Sequence, residues 1–207
     1  MFETKLQMLL KKYSSQLKGS LGRGIINSKA VGWDLCVQAK LKDIIGVLFF
    51  LKNSTSSRFR VLVDIAVQDH PKNKERFLIV YNLLSLKYGT RLLLSTSIRE
   101  GSVIPSCTHI FPGANWFERE VWDMFGIFFR GHPDLRRILT DYGFEGHPLR
   151  KDFPLTGHSE VRYSEDEKKV ISEPVKLEQN FRNFDYESPW EGTKYIKEEI
   201  DGNDKKN

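Results

Sequence analysis

The stretch RVLVDIAVQDHPKNKERFLIVYNLLSLKYGTRLLLSTSI, residues 60–98, decides the fold. It contains three strand-like runs. Arg60 to Val67 sets Val61, Val63, Ile65 and Val67 on one face, Arg76 to Leu86 is apolar almost throughout, and Thr90 to Ile98 follows. Period-2 runs bounded by polar turns read as strands. The joints, QDHPKNK and Lys87-Tyr88-Gly89, are too short for a crossover helix, and joints this short force antiparallel neighbours.

Upstream, Leu41, Ile44, Ile45, Leu48 and Phe49 recur at the spacing of an amphipathic helix, and WDLCVQA at 33–39 alternates Trp33, Leu35, Val37 and Ala39 as a short strand. A first helix is expected over 3–17, with Phe2, Leu6, Leu9, Leu10, Tyr13 and Leu17 as its stripe and Gly19, Gly22 and Gly24 as its breakers. Its Lys-rich opposite face superficially matches an organelle transit peptide, but a plain helix is the preferred reading. A further helix, Trp116 to Phe125, follows the meander. The α-β-α-β-β-β-α order predicts an α+β two-layer sandwich, helices on a mostly antiparallel sheet, over residues 1–130. Seven of the eight prolines lie at residue 105 or beyond, so residues 131–207 are expected to form an extended, irregular C-terminal segment, whose polar, acidic part from about 164 either stays disordered or lies on another protein.

Charge is uneven. Residues 1–150 carry 22 Lys+Arg against 13 Asp+Glu, and residues 151–207 carry 10 against 14. Cys36 and Cys107 form no cluster, which excludes a thiolate-built iron–sulfur or zinc site. The longest apolar run, IIGVLFFL at 44–51, is far short of a membrane span. GxGxxG, GxxxxGK[ST] and GxSxG motifs are absent.

The densest stretch is NWFEREVWDMFGIFFRGHPDLRRILTDYGFEGHPLRKDFPLTGHSEVRY, residues 115–163. Aromatic bodies interleaved with Arg are the material of buried contact surfaces. Asn115 with Glu118 suggests a capping box, Gly126 a C-terminal stop, and Arg119 with Asp123 an i,i+4 pair. The near-duplicates GHPDLRR (131–137) and GHPLRK (146–151) bring His132 and His147 into play, and with Asp152 they raise a metal-dependent enzyme as the alternative reading. No ligand spacing puts two of them on one helix face, and Arg136, Arg137, Arg150 and Lys151 would repel a cation. The preferred reading has these side chains bonding carbonyls and carboxylates. RNA binding by Arg and aromatics is opposed by the acids Glu118, Glu120, Asp123, Asp134, Asp141, Glu145 and Asp152.

The runs EREVWDMFGIFFRGHPDLRRIL, TDYGFEGHPLRKDFPLTGHSEVRY and EPVKLEQNFRNFDYESPW closely resemble the small hydrophilic peripheral-arm subunit of respiratory complex I, the NADH dehydrogenase subunit 9 family, whose bacterial members are the C-type subunits. The likeness runs without gaps over about 116–190; residues 1–105 share layout more than letters. GFEGHPLRKDFPL favours the mitochondrial and proteobacterial branch over related hydrogenases and plastid-type dehydrogenases. The resemblance implies a non-catalytic structural and assembly subunit of the quinone-reducing module of a proton-translocating NADH:ubiquinone oxidoreductase. It implies no cofactor in this chain, since the iron–sulfur clusters, FMN and ubiquinone belong to partner subunits. It further implies other complex I subunits as partners, chiefly the large quinone-site subunit and the cluster-bearing small subunit, on which the 131–207 segment wraps, with no nucleic acid and no direct membrane span. The expected location is peripheral, on the matrix side of the mitochondrial inner membrane or the cytoplasmic side of a bacterial plasma membrane. The expected interface comprises Glu118, Arg119, Glu120, Asp123, His132, Asp134, Arg136, Arg137, His147, Arg150 and Asp152.

Overall fold

The computed structural model describes residues 2–22, 24–179, 181, 182 and 184, with side chains described from residue 7. In chain order the elements are α1 (Phe2–Leu21), β1 (Ile25–Val31), β2 (Asp34–Ala39), a 3-10 turn (Leu41–Asp43) leading into α2 (Ile44–Asn53), β3 (Val61–Asp69), β4 (Phe77–Ser85), β5 (Thr90–Ile98), β6 (Val103–Pro105), α3 (Ala114–Phe125), β7 (Phe128–Arg130), β8 (Ser159–Ser164) and β9 (Lys169–Pro174). The architecture is α+β, as the periodicity implies.

The meander of β3, β4 and β5 pairs antiparallel throughout. β1 and β2 extend it to a five-stranded sheet in the order β1-β2-β5-β4-β3, joined by a parallel pairing of β2 with β5. One face of the sheet is closed by the helices. Leu35, Val37, Ile79, Tyr81, Leu83, Leu92 and Leu94 from the strands meet Ile44, Leu48 and Leu51 of α2, Leu17 of α1 and Val121 of α3 in one cluster. Each fully buried aliphatic side chain there contributes about 1.5–3 kcal/mol.

Local departures from the sequence reading have physical causes. β1 is unexpected because IINSKAV is an edge strand with only Ile25 fully buried, so it lacks an alternating apolar signal. Trp33 sits 62% exposed beside the positive-φ Gly32 at the β1–β2 turn and is not part of the buried Leu35–Val37–Ala39 set. Phe49 is likewise 61% exposed, Val47 and Leu51 taking its expected place in the α2 stripe. α1 runs on through Gly19 to Leu21. The hairpin of β8 with β9 is also more ordered than the extended path expected after residue 130.

The chain divides into two units, Met1–Gly157 and His158–Asn207. Residues 131–157, expected to leave the domain at Arg130, therefore belong to the first unit. The expected acidic tail lies outside the described residues from 185 onward. Among the described residues, no helix is long and apolar enough to cross a membrane.

Candidate functional site: a helix closed by its own downstream strip

α3 starts at Ala114 with Gly113 as its N-cap and no side-chain cap bond, so the capping box is not formed. Glu118 is fully buried and makes no cap bond to the helix start. Its carboxylate accepts from Ser106 Oγ at 2.6 Å and from the Cys107 N–H at 2.7 Å, tying α3 to the segment after β6. His132 lies against the same place. Its Nε2 donates to the Asn115 carbonyl at 3.1 Å while its Nδ1 accepts the Asp134 N–H at 3.1 Å, which assigns a neutral ring protonated at Nε2.

Asp123 is the most heavily bonded carboxylate of the strip. Completely buried, it accepts from Arg137 Nη1 (2.8 Å) and Thr140 Oγ1 (2.6 Å) on one oxygen, and on the other from the N–H groups of Ile138, Leu139 and Thr140 at 3.1, 2.9 and 3.0 Å. Burial alone would raise its pKa. The Thr140 hydroxyl and the three backbone donors outweigh burial and hold the carboxyl well below the usual range. Arg137 also donates to the Gly146 carbonyl and stands over the rings of Trp122 and Phe144, each 5.7 Å away. Arg119 does not take the i,i+4 partner that its spacing offers. It donates to the carbonyls of Arg136 and Arg137 and stacks over Trp116 at 5.0 Å.

The second near-duplicate closes the helix end. The last carbonyls of an α-helix have no partner within it. Gly126, left-handed at φ 75°, donates back to Trp122. The next three carbonyls are taken in succession: Asp123 by His147 Nδ1 at 2.9 Å, Met124 by the Leu149 N–H at 3.1 Å, and Phe125 by Arg150 Nε at 2.6 Å. GHPLRK is thus a C-terminal cap supplied from downstream. It seats tightly, since a Cβ added at Gly126 would lie 2.6 Å from both Arg150 Nη2 and His147.

A third cluster, which the sequence reading misses, anchors the end of the strip to the sheet. Arg76 grips Asp69 with a fork, Nε to Oδ1 at 2.7 Å and Nη2 to Oδ2 at 2.9 Å, and reaches Glu100 at 3.0 Å and Asp152 Oδ1 at 3.0 Å. Arg150 shares Glu100 at 2.8 Å, and the Lys151 N–H donates to Asp69. The bonds from Arg76 lower the pKa of both Asp69 and Asp152. The available signal is positional: Asp69, within the QDHPKNK joint, and Arg76, just after it, lie at the facing ends of two hairpin strands that a short joint brings together.

His132, His147 and Asp152 therefore do not converge. Nε2 of His132 and Nδ1 of His147 serve carbonyls at opposite ends of α3, Nδ1 of His132 accepts the Asp134 N–H, and Asp152 is held by Arg76; among the described residues no three His, Cys, Asp or Glu side chains are placed to share a metal. Of the eleven expected interface residues, eight are engaged within the chain. Glu120, Asp134 and Arg136 face solvent, the last two paired at 2.9 Å. Beside exposed charges such as Asp141, Glu145 and Lys151, the strip turns large apolar side chains outward: Trp116, Leu139, Tyr142, Leu149 and Leu155 are 53–101% exposed.

Known proteins resemble this chain along most of its length. The family described as respiratory-chain NADH dehydrogenase, 30 Kd subunit, matches residues 37–159. The chain is 47% identical over 205 residues to the C-type subunit of the NADH-quinone oxidoreductase of Rhodospirillum rubrum, covering 99% of this chain and 96% of that protein. It is 49% identical over 187 residues to a corresponding NADH-quinone oxidoreductase subunit of Rhizobium meliloti, covering 90% and 93% respectively. Among solved structures, the trypsin-resistant fragment of Nqo5 aligns with a TM-score of 0.50 and 29% identity over 61% of this chain and 98% of the fragment. A chain of the membrane-bound sulfane sulfur reductase, an archaeal respiratory membrane complex, aligns with a TM-score of 0.62 and 25% identity over 78% of this chain and 98% of its own length. With more than half of its residues inside the family match and relatives near half identical along almost their whole length, the chain belongs to the 30 kDa subunit family of respiratory-chain NADH dehydrogenase.

Proposed function

We propose that the chain is a structural subunit of the quinone-reducing module of a proton-translocating NADH:quinone oxidoreductase, respiratory complex I, and that it acts by positioning its neighbours rather than by carrying out chemistry. The observation that carries this reading is the direction of the side chains. In the strip whose His and Asp residues suggest an active site, Glu118, Arg119, Asp123, His132, Arg137 and His147 are consumed by internal bonds, whereas Trp116, Leu139, Tyr142 and Leu155 are turned outward. A catalytic constellation has the reverse arrangement, with polar groups converging on a cavity.

The partners in this reading are the large quinone-site subunit and the cluster-bearing small subunit. FMN, the iron–sulfur clusters and ubiquinone belong to such partners. The subunit is peripheral at the membrane, on the cytoplasmic side in a bacterium or the matrix side of a mitochondrial inner membrane. The β8–β9 hairpin supports the same role: Val161, Tyr163 and Val170 share one face and are each more than half exposed. A lone two-stranded hairpin is at best marginally stable in water, so a partner surface under that face would supply its missing layer. The likeness to a chain of a sulfane sulfur reductase fits as well, because one scaffold can serve complexes with different named reactions when the chemistry lies in other chains.

The test is a pair of variants, Tyr142→Ser and Leu155→Ser. Each is expected to lower the amount of assembled peripheral arm while leaving NADH:quinone turnover per assembled arm unchanged. Normal assembly with selectively lost turnover would refute a structural role.

A further inference from the structure

A cavity of about 400 Å³ opens between α1, the segment that joins α2 to β3, and the turn that joins β4 to β5. That volume lies within the range of small-ligand sites. Its floor reaches the core, since Leu10, Leu35 and Phe59 line it and none is more than 4% exposed. Its walls are pinned to one another. The Tyr13 hydroxyl of α1 donates to Ser57 Oγ at 2.5 Å, Ser85 Oγ donates to the Ser57 carbonyl at 2.8 Å, and the Tyr88 hydroxyl donates to the Thr55 carbonyl at 2.8 Å. A preorganised wall reduces the ordering cost that binding carries.

Charge at the cavity has one sign. Lys12 and Arg91, both exposed, are the charged residues that line it. Among the described residues neither enters an ion pair, although Asp34 lies in register with Arg91 across β2 and β5. Leu9 and Tyr88, on the rim, are 57% and 45% exposed. The cavity is therefore apolar at depth and cationic toward solvent. A charged group carried to the floor would lose its water without a countercharge, which is costly, whereas an alkyl chain gains by leaving water there. An uncharged apolar occupant, including an aliphatic side chain of a neighbouring protein, would leave both cations unmatched. An anionic amphiphile suits both ends, its tail against Leu10, Leu35 and Phe59 and its headgroup at the mouth, where the flexible stem of Lys12 can follow it.

We propose that the cavity is a binding site for a single-chain amphiphile with an anionic head, a compound of the fatty-acid class, seated tail-first with Lys12 and Arg91 at its headgroup. Apart from Tyr88 and Thr90 of the β4–β5 hairpin and Leu35 of β2, its lining comes from α1, the α2–β3 segment and Arg91, so the site shares no residue with the α3 strip and does not depend on the structural role proposed for that strip.

The experiment titrates the purified full chain with laurate, dodecanol and dodecyltrimethylammonium, each below its micelle concentration, and reads the heat by calorimetry. Laurate is expected to saturate a single site and to bind at least about tenfold more tightly than the neutral or the cationic compound. Lys12→Glu is expected to weaken laurate binding at least about tenfold while leaving the ligand-free unfolding midpoint unchanged, as its exposed position allows. Gln16→Trp, which places a ring against the same cavity, is expected to abolish saturable binding of laurate. No saturable heat with laurate, equal affinity for the three compounds, or unchanged affinity in Lys12→Glu overturns the proposal. The titration tests the site without reference to assembly, and the intact complex supplies a second arm. Alkylation of Gln16→Cys by a maleimide, read by mass spectrometry of the peptide that carries it, is expected to proceed in the complex and to be slowed by laurate. Shielding of that position before laurate is added assigns the cavity to a neighbouring chain and overturns the proposal.

Discussion

Arg137 meets Asp123 at 2.8 Å across fourteen residues of chain, and the same carboxylate gathers the next three backbone N–H groups of the strip. The helix thereby nucleates the loop that covers it. Replacing Asp123 by Ala leaves Arg137 half-desolvated and three N–H groups without an acceptor. Loss of one partner of a buried charged pair costs about 3–5 kcal/mol, and a fall of that size in the denaturant-unfolding free energy is the expected result. Asp123→Asn keeps the shape and one acceptor oxygen and should cost less.

Asp69, Asp123 and Asp152 all titrate below the ordinary aspartate value of 3.8 in the folded chain. A depressed folded pKa stabilises the fold fully above the unfolded value and loses that contribution as pH falls toward the folded one. The contribution of these three carboxylates is therefore expected to be constant around neutrality and to decline below about pH 5, where unfolded carboxylates begin to bind protons that the folded ones refuse. Unfolding midpoints measured as pH is lowered test this. Asp69→Asn should flatten the decline, and Asp152, being largely exposed, should contribute the smaller part.

Gly126 and Gly143 share a φ of 75° but differ in what surrounds them. An added Cβ at Gly143 meets nothing within 4 Å, whereas at Gly126 it strikes Arg150 and His147. Gly143→Ala should cost only the left-handed strain of about 1–2 kcal/mol. Gly126→Ala carries that strain and also displaces two capping side chains, so its unfolding midpoint should fall clearly further than that of Gly143→Ala.

Arg136 illustrates an opposite case. Its pair with Asp134 is 70% and 59% exposed, a geometry of little value to stability. Arg136→Glu should change the unfolding free energy by no more than about 0.5 kcal/mol. If the outward face of the strip meets a partner, the same variant should still reduce the yield of assembled complex, read by native gel and by subunit stoichiometry.

The meander is legible because short joints and strict alternation act locally: nothing beyond residues 60–98 is needed to pair β3, β4 and β5. The parallel pairing of β2 with β5 is not, because it joins residues more than fifty apart and leaves no local trace. Within the strip, Gly126 announces the helix end from its place after a periodic run. Glu118 misleads, since a side chain three residues after Asn115 looks like half of a capping box and is in fact recruited by Ser106 and Cys107. The two His-Pro repeats do serve as carbonyl ligands, as their lack of metal spacing suggests. That one flanks the start of α3 and the other closes its end depends on the path of the chain and not on their letters.

The cap on α3 also sets an order in time. His147 and Arg150 bond carbonyls that precede them by 24 and 25 residues. At a synthesis rate of about 5–20 residues per second, the helix waits on the order of one to five seconds for its own end to be made. During that wait the carbonyls of Asp123, Met124 and Phe125 have only water or a chaperone to bond, while the Asp123 carboxylate already has its partners at residues 137–140. A chain ending before His147 therefore carries all five strands of the sheet and a last helix whose C-terminal carbonyls are uncapped.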